Sequence, residues 1–566
     1  MGDVAAPGGA RVSATEARRS RATWRGRDVA GLPLPVAAAA LGIALVAGAV
    51  IFYMGRGSSF HEDEWSFMLD RNGHSPAVFL EPHNEHLSLL PIVLYKGLFE
   101  LVGTGHYGTF RLVLIATNLV AAGLALLALR RFVAPVVALL LVTPLVLMGP
   151  AWSALYSPFQ VTFASSMAFG LGALLMLDRG TRRGDAIASG LLVGSLACSG
   201  IGLPWLAFVA VELAVRDRRR LWVLIAPVVL YGIWYIAYGG GDHDTHPTQA
   251  MAFVLNAAAG AAGGYAGLDV TWGRTLVVAL AGLALWRISV LGRLPARTAG
   301  AVAACVTFWG LTGLVRDPAS FAESRYLLVG ATWLVLAAAP LLPRREPTRG
   351  VLFAGVIAVL VVLAAGSSYF AAGRKILVDG NEPLYARLKA LELARPAVKD
   401  GDFQPDSYRA ALVGAARYFS ALDRYGGSPA LSMERLRASL GPTRREFDEA
   451  MVGAHGLALV PSTARAAGPA PTVEVGNART AGSCLVSDGA SLVATLPPGG
   501  ALFDVPAEGS AAVKLRRLGD DVPEQPTLHA PEGARSELRI AADLLPDPWH
   551  VRVDGPAGTR VCGVGA

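Results

Sequence analysis

The chain has 566 residues, of which 53% are hydrophobic and only 16% charged, and its mean hydropathy is +0.45. A soluble chain normally carries about 25% charged residues, so the composition excludes an ordinary water-soluble protein. The net charge of +7 alone would suit nucleic acid, but the arginines lie in short clusters between apolar stretches, which is the pattern of membrane topology.

Apolar stretches recur through the first two-thirds of the chain. A bilayer core about 30 Å thick needs about 20 apolar residues per helix, because peptide groups cannot be left unpaired in hydrocarbon. This length predicts about eleven spans, near residues 34–54, 110–129, 133–149, 160–177, 185–199, 201–215, 221–238, 273–290, 298–315, 326–342 and 350–370. The first is too long for a signal-peptide core and is expected to remain as an anchor.

The arginine clusters predict the orientation of these spans. They fall in the N-terminal tail and in the loops after alternate spans, which places the N-terminus and those loops in the cytoplasm. The segments 55–109, 150–159, 239–272, 316–325 and everything after 370 are then outside. The pair 185–199 and 201–215 is open to other interpretations, because its Ser-Gly-Ile-Gly-Leu-Pro junction also suits a re-entrant hairpin or one broken helix.

Four parts follow from this pattern. A basic cytoplasmic tail, 1–33, precedes a transmembrane domain, 34–370, and the chain then becomes soluble in character, with a helical segment at 371–470 and a β-rich module at 471–566. The predicted fold class is a polytopic α-helical membrane protein with a C-terminal extracytoplasmic α+β domain that ends in a β-sandwich-like module.

The cysteines divide in the same way. Cys198 and Cys305 lie within apolar runs, whereas Cys484 and Cys562 lie in the C-terminal module. On the outer face, an oxidising compartment, the last two form a candidate disulfide that ties the first strands of the module to its last; the alternative is two free thiols.

The first exterior loop, 55–109, carries the densest group of polar side chains. They stand in two runs, Phe60-His61-Glu62-Asp63-Glu64-Trp65 and Glu81-Pro82-His83-Asn84-Glu85-His86. A carboxylate near a low-dielectric boundary has a raised pKa and can accept a proton as a general base. The stretch from His86 to Val102 is apolar and short, which predicts an interfacial helix on the membrane surface. The alternatives are a solvated acidic loop and a true span.

A metal site is a second interpretation of these side chains. Imidazole and carboxylate groups together could hold a divalent cation that neutralises a phosphate leaving group, so no cofactor is required but a cation is considered. The later loop Gly239 to Asp244, followed by His246, has the residue types of a metal site, yet its spacing fits no ligand motif, and a flexible glycine-rich loop is favoured.

The acidic loop resembles a known family. An Asp-Glu pair in the first exterior loop, an interfacial helix after it, about eleven spans and a C-terminal exterior domain are similar to the GT-C glycosyltransferases, which include protein mannosyltransferases and arabinosyltransferases. The resemblance implies that Asp63 is the catalytic base, that Glu64 assists in acceptor or metal contact, and that the donor is a sugar on a polyprenyl phosphate. His61, Trp65, His83, Asn84, Glu85 and His86 are expected to bind substrate.

A second sequence, Ala322-Glu323-Ser324-Arg325-Tyr326, stands at the outer end of a late span. Arg-Tyr at this position is similar to a recurrent GT-C feature, and a guanidinium can bind phosphate in bidentate fashion, so Arg325 and Tyr326 are expected to hold the donor phosphate. The alternative is an arginine that anchors the helix end at the headgroups. Residues near other predicted outer helix ends are interpreted as interfacial belt residues, with sugar-stacking platforms as the alternative: Trp152, Tyr156, Gln160, Trp205 and Trp272.

The expected function is transfer of a sugar from a polyprenyl phosphate to an envelope glycan, lipid or protein on the outer face of a bacterial plasma membrane. No phosphate-cradling Gly-Lys-Ser/Thr pattern occurs in the short cytoplasmic loops, which argues against a soluble nucleotide-sugar donor. The alternative is a non-catalytic transporter, flippase or glycan-binding scaffold. A transferase requires Asp63 and Arg325 to face one cavity, whereas a scaffold does not.

Overall fold

The computed structural model describes residues 28–29, 31–71, 73–239, 245–520 and 524–564. Most of the predicted basic tail and the loop residues 240–244, including His243, therefore lie outside the described residues. The helices are α1 Leu34–Met54, α2 Glu64–Leu69, α3 Pro76–Leu80, α4 Leu89–Val102, α5 Tyr107–Leu129, α6 Pro135–Val146, α7 Trp152–Tyr156, α8 Val161–Leu177, α9 Arg182–Leu196, α10 Gly202–Arg216, α11 Ile225–Tyr238, α12 Pro247–Tyr265, α13 Val270–Leu291, α14 Ala296–Val315, α15 Ser324–Ala338, α16 Arg349–Arg374, α17 Glu382–Ala394, α18 Ala415–Tyr425, α19 Met433–Ala438 and α20 Gly441–His455.

Long apolar helices form the membrane part. Among the described residues, eight helices are long and apolar enough to cross a membrane, or nine if the bent pair Pro135–Val146 and Gly149–Tyr156 is one span. The predicted spans 185–199 and 201–215 correspond to α9 and α10, which have 15 residues each. The prediction of a polytopic helical protein is confirmed, but the count of eleven spans is not.

The junction between α9 and α10 is a tight turn rather than a kink in one helix. Asp185, near the start of α9, pairs with Arg220, just beyond the end of α10. The N-terminal end of α9 and the C-terminal end of α10 therefore lie together. The two helices therefore form a hairpin whose tip, around Gly200, points to the opposite end of the bundle.

Charged loops gather at one end of the bundle. Arg131, Arg216 and Arg297 come from three different loops or helix ends, and all three reach the carboxylate of Asp178, at 3.4, 3.2 and 2.8 Å. Arg297 also pairs with Glu212 at 3.0 Å. These three arginines, which the sequence placed on one side, are thus at one end of the structure, and their cytoplasmic location stays a prediction.

Helix α12 was not predicted. It lies within the segment 239–272, which the sequence assigned to an exterior loop. Its start is fixed by the His246 N–H, which donates to the Leu314 carbonyl at 2.8 Å, and near its end Gly264 packs against Met148 and Leu327. Both of its ends lie towards the end of the bundle opposite the arginines, so α12 does not run from one end to the other.

The C-terminal strands form two antiparallel sheets. After the short β1 Asp28–Val29 and β2 Leu32–Pro33, the strands are β3 Leu459–Pro461, β4 Thr472–Val475, β5 Ala478–Ala481, β6 Cys484–Ser487, β7 Leu492–Thr495, β8 Gly500–Asp504, β9 Ala511–Arg516, β10 Thr527–Ala530, β11 Arg535–Arg539, β12 His550–Asp554 and β13 Arg560–Gly563. One sheet has the order β10-β9-β12-β7-β4 and the other β3-β11-β8-β13-β6-β5. Cys484 and Cys562 are paired across β6 and β13 and form a disulfide, as predicted.

The loop 55–109 and the C-terminal region share one hydrophobic core. Phe60 and Trp65 from the loop, Tyr385 and Tyr418 from the helices after the last span, and Phe503 from the sandwich belong to the same buried cluster. Trp65 lies edge-on to Tyr418, with ring centroids 6.3 Å apart. The C-terminal region is therefore a structural support of the acidic loop.

Candidate functional site

The loop that follows α1 turns sharply at Glu62. Its φ of 47° is in the left-handed region, which is strained for a residue with a side chain. The turn places Asp63 immediately before α2, with its side chain 30% exposed, and directs Glu64 into the core. Two adjacent acids thus point to two different environments.

Glu64 is fully buried and serves as a hydrogen-bond centre. Its carboxylate accepts from the Tyr95 hydroxyl at 2.6 Å, from the Tyr107 hydroxyl at 2.8 Å and from the His61 N–H at 3.3 Å. Burial and the neighbouring carboxylate raise the pKa of Tyr95 well above its usual value, so this hydroxyl remains a donor. The two tyrosine contacts join the loop to α4 and α5, and the His61 contact closes the turn within the loop.

His61 supports the same centre. Its Nδ1 lies 3.2 Å from the Glu64 carboxylate, and its Nε2 lies 3.2 Å from the Ser157 hydroxyl. Burial acts to lower the pKa of His61, but the hydrogen bond and charge of Glu64 outweigh it and raise the pKa above the usual value. An imidazole held in this way fixes the start of α2.

These contacts correct part of the sequence prediction. His61 and Trp65 are 4% and 1% exposed, and Glu64 is not exposed at all. None of the three lines the cavity described below, because each is packed into the shared core. We therefore assign them to support of the loop, and not to contact with substrate or metal.

The second polar run forms a two-residue hairpin. The His83 N–H donates to the His86 carbonyl and the His86 N–H to the His83 carbonyl, both at 3.0 Å. The central residues Asn84 and Glu85 have φ of 45° and 71°, as a type I′ turn requires. The turn directs His83 and His86 to the same side as Asp63, while Glu85 does not line the cavity.

A polar cavity lies between this hairpin, the C-terminal end of α14 and the N-terminal end of α15. Of the predicted site residues, those that line it are Asp63, His83, Asn84, His86, Arg325 and Tyr326. The tip of the α9–α10 hairpin closes another wall. A Cβ atom on Gly200 would lie 2.8 Å from the His86 ring, so this close approach requires glycine.

The electrostatics of Asp63 differ from the prediction. Burial acts to raise its pKa, but the neighbouring His83 and Asn84 side chains and the charge of Arg325 outweigh burial and lower the pKa below its usual value. The Asp63 Oδ1 and His83 Nε2 atoms are 3.8 Å apart. The expected raised pKa is therefore wrong, and Asp63 is ionised at neutral pH.

Two guanidinium groups, those of Arg316 and Arg325, line the same cavity as this carboxylate. Arg325 pairs with Glu323 at 2.6 Å, and its Nε has no partner among the described residues. Arg316, at the end of α14, is half-buried and makes no side-chain hydrogen bond or ion pair within the described part of the chain. Arg316 was not predicted, although an arginine at the end of a span away from the arginine clusters departs from the positive-inside pattern.

The residues interpreted as belt residues differ in their exposure. Tyr156 and Trp205, interpreted as belt residues, are 1% and 0% exposed and belong to the core, whereas Trp272 is 63% exposed, as a belt residue would be. Gln160 is buried and lines the polar cavity. Within the described residues, no group of three or more His, Cys, Asp or Glu side chains is placed to hold a metal ion.

Comparisons with known proteins add little to this picture. No protein-family model matches the chain, and no curated protein sequence matches it. One solved structure to which it is similar is that of ArnT from Cupriavidus metallidurans bound to undecaprenyl phosphate, with 15% identity over 70% of this chain and 85% of that chain and a TM-score of 0.44. At these values the match assigns neither a fold nor a role to any residue of this chain.

Glu62 and Glu64, two glutamates of the same loop, allow a matched test of the support assigned to Glu64. Glu64→Gln removes the charge that accepts two buried tyrosine hydroxyls, and we expect it to lower the free energy of unfolding by about 1–3 kcal/mol. Glu62→Gln alters an exposed side chain and should change it by less than about 0.5 kcal/mol. Thermal unfolding of both full-length variants in detergent measures the difference; equal Tm values would contradict the assignment.

Proposed function

We propose that this chain is a GT-C-like membrane glycosyltransferase, which transfers a sugar from a polyprenyl-phosphate donor to an acceptor of the cell envelope on the outer face of the membrane. The observation that carries the proposal is the cavity lined by Asp63, Arg316 and Arg325. One carboxylate and two guanidinium groups around a single space support a transferase over a scaffold, because a transferase needs a base and a phosphate-binding cation in one cavity.

The arginines supply the donor site. A guanidinium binds phosphate oxygens through paired, charge-assisted hydrogen bonds, and Arg316 has no competing partner among the described residues. Arg325 retains an unpartnered Nε beside its ion pair with Glu323. Two cations also stabilise the charge that develops on a departing phosphate, so they favour the transition state as well as binding.

Asp63 supplies the base. The acceptor hydroxyl oxygen attacks the anomeric carbon of the sugar, and the bond from that carbon to the phosphate oxygen breaks, with its electron pair remaining on the polyprenyl phosphate. The hydroxyl proton passes to the Asp63 carboxylate. Because its pKa is lowered, Asp63 is ionised and ready to accept a proton over a wide pH range, although it is a weaker base than the sequence suggested.

A second cavity supports a lipid-linked donor. It lies within the helical bundle and is lined mostly by apolar side chains, among them Ile51, Ile115, Leu155, Met167 and Leu328. Gln160 and Phe163 line both this apolar cavity and the polar cavity, so the two spaces are neighbours. A polyprenyl phosphate has the same arrangement of an apolar chain next to an anionic group.

The proposal predicts which variants lose transfer. With labelled polyprenyl-phosphate sugars and membranes of matched expression, Asp63→Asn should lower kcat by about 10²–10⁴-fold, since it removes the base. Arg316→Ala and Arg325→Ala should each lower kcat/KM for the donor by about tenfold to a hundredfold, the worth of a charge-assisted hydrogen bond. Arg344→Ala, an exposed arginine at the other end of the bundle, is the control and should leave transfer unchanged.

Each result has a distinct meaning. A wild-type protein that transfers sugar from none of a range of donors would contradict the enzyme proposal. Transfer by Asp63→Asn at the wild-type rate would remove Asp63 as the base, and unchanged kinetics in both arginine variants would move the phosphate to another site.

The pH dependence of transfer tests the pairing of Asp63 with His83. The contacts with His83 lower the pKa of Asp63, so His83→Phe, which keeps the ring packing but removes the contacts, should raise it. The acidic limb of the kcat/KM profile should therefore move to higher pH, while His106→Asn, an exposed histidine outside the cavity, should leave it in place. An unchanged limb in His83→Phe would show that the limb does not report Asp63.

A further inference from the structure

Two polar side chains in the wall of the polar cavity have no role in the chemistry described above. Gln160 ends the 3₁₀ turn Pro158–Gln160, and Thr162 stands in the first turn of α8. They are 5% and 3% exposed, and both line the cavity.

Their oxygen atoms are unpartnered. Gln160 Oε1 and Thr162 Oγ1 are buried and make no hydrogen bond within the described part of the chain. Buried polar atoms are nearly always paired in folded proteins, because water is lost without compensation when they are not. Two unpaired oxygen atoms in the wall of a cavity therefore indicate a ligand that supplies their missing hydrogen bonds.

The position of Thr162 explains why its hydroxyl is left over. Buried threonines deeper in the helices donate to the carbonyl four residues earlier, as Thr143 does to Leu139 and Thr332 to Leu328, both at 2.8 Å. The corresponding carbonyl for Thr162 belongs to Pro158, which precedes α8 in the 3₁₀ turn. The helix start thus leaves one hydroxyl available, next to the amide of Gln160.

The charges of the cavity limit what this ligand can be. Asp63 is the only carboxylate among the described residues that line it, and it is accompanied by two guanidinium groups and two imidazoles. A sugar that carries an ammonium group would be repelled by these cations. No carboxylate would be left to pair with it, since Asp63 already has the role of base. A neutral hydroxyl meets no such penalty and can donate to the Gln160 Oε1.

We infer that Gln160 and Thr162 bind hydroxyl groups of the transferred sugar, and that this sugar is a neutral glycosyl group. The inference rests on the proposed function and specifies its substrate class. Gln160 accepts a hydrogen bond from one hydroxyl, and the Thr162 hydroxyl donates to or accepts from the same or a neighbouring one. A site completed in this way rejects a donor that lacks the hydroxyl, because the buried oxygen is then unpaired again.

The test measures the preference of the enzyme for one donor over another, as a ratio of kcat/KM values. Full-length protein in liposomes is given polyprenyl phosphates that carry a neutral hexose, each of its monodeoxy analogues, or an amino sugar of the same size. Wild type should prefer the hexose over the amino sugar, and over at least one deoxy analogue by about a hundredfold or more in kcat/KM. In Gln160→Met or Thr162→Val that preference should fall by about tenfold or more. The preference is a ratio, so it does not depend on the amount of folded enzyme.

Thr143→Val is the matched control, because it removes a buried threonine hydroxyl away from the polar cavity and should retain the wild-type preference. The inference is overturned, with the proposed function intact, if wild type transfers the hexose and all deoxy analogues equally, if neither variant changes the ratio, or if the amino sugar is preferred. Transfer from no donor at all would overturn the proposed function, and this inference with it.

Discussion

The buried carboxylate of Glu64 is the constraint on which the site depends. It accepts hydrogen bonds from two tyrosine hydroxyls and a backbone N–H in a buried place. Because no water can replace these donors, the start of α2 has one favourable position relative to α4 and α5. The strained backbone of Glu62 is maintained by these contacts. As a consequence, Asp63, which lies between Glu62 and Glu64, remains at the edge of the cavity.

The C-terminal region extends this constraint beyond the membrane part. The Tyr385 hydroxyl donates to the Ser59 carbonyl at 2.8 Å, just before the acidic run, and Arg424 pairs with Glu100 at the end of α4 at 2.8 Å. With Trp65 packed against Tyr418, the loop is held from both sides. The C-terminal region therefore helps to position Asp63 as well as forming a module of its own.

Much of this architecture could be predicted from the sequence because it follows from local signals. Span length and arginine placement predicted long apolar helices and loops gathered at one end, and two cysteines in an otherwise polar module predicted their disulfide. Helix α12 was missed because its Ala- and Gly-rich sequence has neither the hydropathy of a span nor a clear polar face. The prediction counted α9 and α10 as two separate spans. Each of these helices is shorter than the length criterion for a span, so neither is among the eight.

Six of the predicted site residues line one cavity, but the different environments of neighbouring residues were not predicted. Adjacent letters in the sequence, Asp63 and Glu64, look equivalent, and only the turn at Glu62 separates a cavity residue from a core residue. The lowered pKa of Asp63 could not be predicted either, because it depends on His83, Asn84 and Arg325, which the fold brings from distant parts of the chain. Arg316 and Gln160 became candidates only when the cavity showed which helix ends meet.

The most direct test of this account is a structure of the full-length protein with a polyprenyl phosphonate sugar, in which carbon replaces the bridging oxygen and transfer cannot occur. The account predicts that the phosphonate oxygens lie within hydrogen-bond distance of Arg316 and Arg325, with the anomeric carbon facing Asp63 and the first isoprene units in the apolar cavity. A phosphonate bound elsewhere, with the polar cavity empty, would contradict it.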